Sequence, residues 1–303
     1  MTTRGNGSGA AGRDHRESAA LARCAQLTAA SGSNFYLAFL PMPADRRDGI
    51  FAVYAFCRVV DDIVDEPEAG VEPRQELDAW RDRVRRITRG VPLSADDHPV
   101  AIGLECTHQR FGLREDDLLA VIDGVEMDLD LSRYESAETL ALYCERVAGR
   151  VGCLCLPVFG ADEATRPYAL TLGRAFQLTN ILRDVPRDAA IGRLYLPLDV
   201  LALHGARVDD VLAGRRTPEV VAALRALGED ARKLFERADA LIRPSQRDVL
   251  YPALIMSSIY RRVLEELRAR DFDCWTERVA LPRSTKALLA LGVFARDKIL
   301  HTW

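Results

Sequence analysis

The chain has 303 residues, of which 48% are hydrophobic, and its 41 Lys and Arg against 45 Asp and Glu give a net charge of -4. This length allows one large domain or two ordinary ones and supplies enough apolar residues for a sizeable core. The charge balance excludes a nucleic-acid-binding surface spread over the whole protein, which would need a clear basic excess. The apolar content and low net charge exclude a disordered chain.

The N-terminal segment and the cysteines set expectations about the compartment. The first 18 residues are polar and rich in Gly and Ser, so residues 1–30 are predicted to be a disordered tail and the start of a first helix. This tail has no apolar core and is no signal peptide. The seven cysteines form no C-x-x-C pair and no zinc-site spacing, which favours buried, reduced thiols. No apolar stretch reaches the roughly 20 residues that span a bilayer, so we expect a cytoplasmic protein, with peripheral contact at the inner face of the membrane left open.

Apolar residues recur at helical spacing along most of the chain. The predicted helices cover residues 45–65, 74–89, 116–130, 137–159, 164–185, 220–241, 247–270 and 282–300. Residues 151–159 are apolar enough for a strand, but their helical flanks favour a buried helix. Gly and Pro residues separate the segments, and no alternating strand pattern occurs. The sequence therefore predicts one all-α domain of about ten helices over residues 31–303.

Two pairs of aspartates lie on predicted helices that are otherwise apolar. Asp61 and Asp65 are four residues apart, as are Asp184 and Asp188, so each pair projects from one helical face. Burying two like charges one turn apart costs several kcal/mol unless a cation compensates them. A single pair is weak evidence for a site, whereas two pairs in buried surroundings are much stronger.

Each pair has an arginine and further polar residues beside it. Arg58 lies one turn before the first pair, Arg183 directly precedes the second, and Asn180 and Gln177 extend the second pair into a polar stripe. Carboxylate oxygens in two facing sets suit Mg²⁺ (or Mn²⁺), which binds carboxylates together with substrate phosphate oxygens. Arginines suit diphosphate. From the residues alone we predict a helical cavity that binds a Mg²⁺-diphosphate ester and offers apolar walls to an apolar tail.

Two other features bear on this site. Pro186 lies within the second pair and is predicted to end or kink its helix, because proline cannot donate a backbone hydrogen bond; the metal role of Asp188 is therefore the least secure. A third acidic group, formed by Asp123, Glu126 and Asp128, is interpreted as a solvated face or as residues behind the site.

From about Ser31 to Arg283 the sequence resembles the squalene/phytoene synthase family. The matching stretches are SNFYLAFLPMP, AVYAFCRVVDDIVDE, LYCERVAGRVG, LGRAFQLTNILRDVPRDA and GRLYLP, in this order. Within the family, AFCRVVDDIVDE together with IDGVEMDLDLSRYES is most similar to the bacterial presqualene diphosphate synthases of hopanoid biosynthesis. The resemblance implies an isoprenoid-synthase-type helical bundle with a central apolar cavity.

The resemblance also implies a reaction. Such enzymes join two farnesyl diphosphate molecules head to head: one loses its diphosphate, the C2–C3 double bond of the other attacks the allylic cation, and proton loss gives presqualene diphosphate. NADPH is not expected. Metal ions polarise the leaving diphosphate. The implied metal-binding residues are Asp61, Asp65, Asn180, Asp184 and Asp188.

Further residues match family positions that contact the substrates. Those that match diphosphate-binding positions are Arg58, Arg183, Tyr54, Gln177, Tyr260 and, across a one-residue insertion, Arg278. Phe35 and Phe39 match aromatic positions of the prenyl pocket. Tyr143 matches a tyrosine near the cation that helps to steer proton removal, with the released diphosphate as the candidate for the actual base. The small residues that leave room for the chain are Val147, Ala148 and Gly152. The residues expected to act in catalysis are Tyr143, Arg58, Arg183, Asp61, Asp65 and Asp184.

The resemblance leaves structural alternatives for single residues. Tyr54 and Tyr260 are also suited to a core in which their hydroxyls are satisfied, and Arg58 to pairing with Asp62. Gly32 stands where relatives often have a phosphate-binding Ser.

Other functions stay open at this point. The motifs do not separate presqualene diphosphate synthesis from phytoene or dehydrosqualene synthesis, or from complete NADPH-dependent squalene synthesis. A non-catalytic helical assembly factor of the same fold is a further alternative, but both aspartate pairs are intact. The expected partners are the two farnesyl diphosphate molecules and downstream enzymes of hopanoid or carotenoid pathways, and no nucleic acid.

Overall fold

The computed structural model describes residues 7–30, 34–67, 69–94 and 96–295, and within these it describes no side chain of residues 7–14, 34, 35 or 37. The described residues form a helical bundle with no strand; one isolated bridge joins Arg133 and Leu194. The α-helices are α1 (Gly7–Ala30), α2 (Asn34–Phe39), α3 (Ala44–Asp65), α4 (Pro73–Thr88), α5 (Pro99–Phe111), α6 (Glu115–Asp130), α7 (Ala137–Cys144), α8 (Arg150–Phe159), α9 (Arg166–Ala190), α10 (Leu198–Leu203), α11 (Val208–Leu212), α12 (Pro218–Leu241), α13 (Tyr251–Ala269) and α14 (Arg283–Phe294). A π segment, Glu145–Gly149, joins α7 to α8 without a break.

Local signals explain several helix ends. The hydroxyl of Ser136 accepts a hydrogen bond from the Thr139 amide at the start of α7, and Thr217 caps α12 in the same way. Gly112 and Gly160 follow α5 and α8 with φ of 70° and 84°, in the left-handed region where glycine has no steric penalty. The all-α prediction is confirmed, and residues 151–159 are helical.

The structure differs from the expected helix extents at three points. Within the predicted disordered tail, α1 already begins at Gly7; Ala and Arg, which favour helix, are frequent there. The predicted helix over 137–159 contains the π segment. Pro186 does not end α9, which continues to Ala190, because packing along a 25-residue helix outweighs one missing backbone hydrogen bond.

Helix α9 is central to the bundle and packs against α12, α8 and the π segment, while α3 packs against α1 and α5. A buried ionic cluster ties three helices together: the Asp117 carboxylate, 1% exposed, accepts hydrogen bonds from Arg166 and Arg150. Loss of either arginine would leave the buried Asp117 charge without full compensation, which is strongly unfavourable. The cluster therefore holds α6, α8 and α9 in one arrangement.

All seven cysteines are unpaired, and none is exposed, in agreement with the predicted reduced thiols. In the part of the chain that the structure describes, no helix combines the length and the apolar character needed to cross a membrane.

Candidate active site

Two adjoining chambers open between α3, α6, α8, α9 and α13. The polar chamber has a volume of about 670 Å³ and contains the carboxylates of both aspartate pairs. The apolar chamber, of about 200 Å³, is lined almost entirely by hydrocarbon and aromatic side chains. Both chambers share Tyr54, Val147, Gln177, Asn180 and Tyr260 in their walls, so they form one continuous cavity.

The first aspartate pair lies at the C-terminal end of α3. Burial, followed by the nearby Asp65 charge, raises the pKa of Asp61 to about 7. The Asp61 side chain is 48% exposed, but it lines the chamber, so this surface faces the cavity. Arg58 donates from Nε to Asp62 at 3.1 Å and is 3.8 Å from Asp61. Arg58 thus pairs chiefly with Asp62, and the first pair lacks full compensation.

The second pair lies on α9 and is neutralised unevenly. Arg183 donates to Asp184 from Nε at 3.1 Å, and Arg278, from the segment before α14, donates through Nε at 2.7 Å and Nη2 at 3.1 Å. Burial acts to raise the pKa of Asp184, but these hydrogen bonds outweigh it and hold the pKa below its usual value. Asp188, one turn further, has its pKa raised to about 7 by burial and by the Asp184 charge.

The continuity of α9 through Pro186 decides the position of Asp188. Because the helix does not end between the two aspartates, Asp184 and Asp188 both line the polar chamber. The expected break at Pro186 therefore does not remove Asp188 from the site.

Two cations of the site come from the loop after α9 and from α14. The Arg193 side chain donates to the Asp65 carboxylate across 128 residues of sequence. Lys286 also lines the chamber, and burial together with neighbouring arginines lowers its pKa. The chamber therefore presents both carboxylates and cations, a combination suited to a ligand that carries negative charge and binds metal.

The apolar chamber contains the predicted small residues. Val147, Ala148 and Gly152 line it, and Phe39 forms part of its wall with the Phe159 ring at 6.4 Å. The side chain of Phe35 and the residues around Gly32 lie outside the described residues.

Tyrosines occupy the boundary between the chambers. Tyr260 is stacked on Phe176 at 4.4 Å and is close to the Asn180 amide and Arg183. Tyr143 is 5% exposed and donates to Asp128 at 2.9 Å. Every predicted site residue whose side chain is described thus lines one chamber or both.

Sequence comparison identifies the family. The family model for squalene/phytoene synthases matches residues 28–285. The chain belongs to this family. It is accordingly a prenyltransferase-type enzyme, of a family that condenses prenyl diphosphates head to head.

Individual relatives agree with this assignment. The chain is 39% identical to the presqualene diphosphate synthase of Rhodopseudomonas palustris over 271 residues, which cover 86% of this chain and 93% of that protein. It is also 39% identical over 280 residues to phytoene synthase 3 of Zea mays, covering 90% of this chain and 65% of the maize protein. The crystal structure of a dehydrosqualene synthase in complex with ligand superposes with a TM-score of 0.81 at 26% identity, covering 96% of this chain and all of that one.

The residues of this family member fit a divalent metal only in part. The Asn180 Oδ1 atom is buried and has no hydrogen-bond partner, and the Asp61 and Asp188 carboxylates are incompletely compensated. Within the described ranges, however, no three His, Cys, Asp or Glu side chains are arranged to hold a metal ion by themselves.

Sequence reasoning missed several residues of the site. Asp123 and Glu126 pair with Arg81 of α4, away from the chambers, but Asp128 lines the polar chamber, so the interpretation of all three as one face is wrong. The spacing could have shown this, because two residues that are two positions apart on a helix, such as Glu126 and Asp128, point to different sides of it. Arg193 lies in the GRLYLP stretch, which matches the family, but nothing in the sequence was a reason to assign it to the site.

Proposed function

We propose that the protein condenses two molecules of farnesyl diphosphate head to head, releases diphosphate and forms presqualene diphosphate, with Mg²⁺ or Mn²⁺ as cofactor and without NADPH. The observation that carries this proposal is the placement of both aspartate pairs around a polar chamber that continues into an apolar one. A diphosphate head group matches the first chamber, and a prenyl tail matches the second. The identity to the Rhodopseudomonas enzyme over nearly its whole length supports this product.

The polar chamber would bind the head group. Bound Mg²⁺ would neutralise charge on the departing diphosphate. Arg58, Arg183 and Arg278 lie beside the carboxylates, where their guanidinium groups can donate paired hydrogen bonds to phosphate oxygens. Fixed cations of this kind stabilise the negative charge that develops as the allylic bond breaks.

The apolar chamber would protect the cation that remains. Most of its walls are formed by residues such as Phe39, Val151 and Leu172, which offer no nucleophile. The thiols of Cys57 and Cys155 also line it, but burial raises their pKa and keeps them protonated, which makes them weak nucleophiles. Excluding water prevents capture of the allylic cation as an alcohol. The second double bond is then the nucleophile within reach.

A second candidate is condensation of two geranylgeranyl diphosphates to phytoene. The identity to the maize phytoene synthase, equal to that with the bacterial enzyme, favours it. The two functions share the polar chamber and differ in the length of the tail.

Product analysis tests the proposal. The protein is incubated with Mg²⁺ and either farnesyl or geranylgeranyl diphosphate, with and without NADPH, and the products are identified by mass spectrometry. We expect presqualene diphosphate from farnesyl diphosphate, unchanged by NADPH. Squalene formed only with NADPH, or a higher kcat/KM for geranylgeranyl diphosphate, would show that another family activity applies.

Two variants test the metal role. Asp61→Ala and Asp184→Ala are expected to abolish turnover while helicity is retained, because each removes a proposed metal ligand. Asp184→Ala should also lower the melting temperature somewhat, because Arg183 and Arg278 lose their carboxylate partner. The exposed Asp230→Ala on α12 serves as control and should retain activity. Normal turnover in either chamber variant would refute the metal assignment.

A further inference from the structure

Three tyrosines surround the Asp128 carboxylate on the wall of the polar chamber. The Tyr143 hydroxyl donates to Asp128 Oδ2 at 2.9 Å, and the hydroxyl oxygens of Tyr143 and Tyr195 are 3.4 Å apart. Tyr134 approaches Asp128 Oδ1 at 3.5 Å. Asp128, Tyr143 and Tyr195 line the chamber, whereas Tyr134, 1% exposed, lies behind them.

The hydrogen bond fixes what Tyr143 can do. An ionised carboxylate only accepts hydrogen bonds, so the single proton of Tyr143 is directed at Asp128 and the oxygen lone pairs remain available on other sides. A neutral phenol is a very weak base. It can take up a proton only when its own proton leaves in the same step, and Asp128 is positioned to receive that proton.

Asp128 differs from the other acids of the chamber in its hydrogen-bond partners, although its charge interacts with those of Asp61, Asp65 and Asp188. Asp65 and Asp184 are engaged by Arg193 and Arg278. Asp128 instead has phenol partners and shares its wall with Val121 and Val125 of the same helix. It therefore lies where the charged part of the chamber meets apolar side chains. Burial raises the pKa of Asp128, which favours retention of a proton once it arrives.

We propose that Asp128 acts through Tyr143 as the proton acceptor of the condensation; this rests on the proposed function. After diphosphate has left, C1 of the donor chain bonds to C2 of the acceptor chain and leaves positive charge on C3. The donor C1–H bond then breaks, and its electron pair forms the C1–C3 bond that closes the cyclopropane. The proton passes to the Tyr143 oxygen while the Tyr143 proton moves to Asp128 Oδ2. Asp128 is thus a positioning residue, and Tyr143 is the group that touches the substrate.

The test compares Asp128→Asn, Tyr143→Phe and their double variant with the control Asp130→Asn. The amide introduced by Asp128→Asn keeps the shape of the carboxylate but cannot take the proton, so kcat should fall about 100-fold, as for loss of a general base, while KM for farnesyl diphosphate stays within about threefold. Farnesol, the product of water capture, should increase relative to condensed product. The kinetic isotope effect with substrate deuterated at C1 should also increase. Tyr143→Phe should show the same changes in kcat and in product ratio as Asp128→Asn. The double variant should have a kcat no lower than that of either single variant, because both residues act in the same step.

The control and the wild type separate the outcomes. Asp130→Asn makes the same change on the same helix, at an exposed carboxylate that pairs with Arg74 outside the chambers, so its kcat and product ratio should stay near those of wild type. An active wild type with an Asp128→Asn variant of normal kcat and product ratio would overturn the relay alone, as would a variant changed only in KM. If Asp128→Asn does not fold, as judged by circular dichroism, Tyr143→Phe decides by the same measurements. A wild type that condenses neither prenyl diphosphate would overturn the proposed function, and the relay with it.

Discussion

Two carboxylates one helical turn apart on α9 have opposite electrostatic character. Asp184 receives hydrogen bonds from Arg183 and Arg278, which lower its pKa against the effect of burial. The pKa of Asp188 is raised to about 7 by burial and by the Asp184 charge. In the metal-free protein at neutral pH, the ionised Asp184 therefore stabilises the fold, whereas the ionised Asp188 destabilises it.

Removing the Asp188 charge should stabilise the metal-free protein. The unfolded chain ionises this carboxyl near its ordinary pKa of 3.8, whereas the folded protein retains the proton up to about pH 7. The folded state therefore binds more protons between these values, and stability is lost as pH rises through this window. At pH 8 in EDTA, Asp188→Asn should raise the free energy of unfolding by about 1 to 2 kcal/mol, measured by urea denaturation, although turnover is lost.

Asp184→Asn is the matched comparison. It weakens the pairing of Arg183 and Arg278 and should lower the free energy of unfolding under the same conditions. At pH 3 the advantage of Asp188→Asn should disappear, because this carboxyl is largely protonated there in both the folded and the unfolded form. Shifts of equal sign in the two variants at pH 8 would contradict this account.

For single residues, the sequence could predict which side chains belong to the site when they lie on otherwise apolar helices. Polar side chains such as Asp61 and Asn180 conflict with their neighbours, and this conflict identified them. Arg193 also has apolar neighbours such as Leu194 and Leu196, but it lies in a loop, where no helical face can be assigned from the sequence. Its pairing with Asp65 depends on tertiary structure.

At the scale of the helices, α9 and the π segment pack with their backbones in close contact beside the cavity. A Cβ added at Gly173 would lie 2.5 Å from the Ala148 carbonyl oxygen and 2.6 Å from Gly149 Cα. Both are backbone atoms, which cannot move aside as a flexible side chain can. π segments within helices often occur at functional sites, and here the segment carries Val147 and Ala148 to the chambers.

Gly173→Ala should therefore be destabilising. The two helical segments would have to separate, and we expect a loss of about 1 to 3 kcal/mol in the free energy of unfolding, as for overpacked cores. Activity should fall as well, since Gly173 lines the apolar chamber. Chemical denaturation and product formation measure the two effects.

Gly292→Ala is the control for helix propensity. Gly292 lies in α14 with nothing within 4 Å of the added Cβ, so this change should leave stability unchanged or raise it by up to about 1 kcal/mol. If Gly173→Ala behaves like Gly292→Ala, the close contact does not govern the packing.

Helix type and order were predictable from periodicity, and helix interruptions were not. The pattern over 137–159 is continuous in sequence, and nothing in it distinguishes a π turn from an α turn. Conversely, Pro186 is a strong local signal that tertiary packing overrode. Short helices such as α10 and α11 were missed because one or two turns give too few residues to show a period.

At the scale of the whole molecule, the polar chamber brings together segments that are distant in sequence. Asp65 pairs with Arg193, and Asp184 pairs with Arg278, so each aspartate pair is partly neutralised by an arginine from a remote segment. Under the proposed function, a metal bound to these carboxylates would release the arginines, and a bound diphosphate would occupy them. The two ligands should therefore favour each other's binding.

This coupling is measurable with an unreactive thiolo analogue of farnesyl diphosphate. By calorimetry, the analogue should bind at least about tenfold more tightly with Mg²⁺ than in EDTA, within the usual range of coupling free energies. Arg278→Gln should weaken binding in Mg²⁺, because one cation released by the metal is then missing.

Arg232→Gln is the control, since Arg232 pairs with Glu229 on the surface of α12. Its effect on the affinity for the analogue should be within error. Equal affinity for the analogue in Mg²⁺ and EDTA would show that the arginines do not exchange partners.

The same arginine–aspartate pairs have a consequence for the end of the catalytic cycle. Inorganic diphosphate carries the charges of the substrate head group, and a site built to stabilise it as a leaving group also tends to retain it. Under the proposed function, Arg193 and Arg278 would return to their own carboxylates when diphosphate and metal depart. The emptied site would then keep fewer uncompensated charges, chiefly those of Asp61 and Asp188. The intramolecular pairs would compete with the by-product for the arginines and so favour its release.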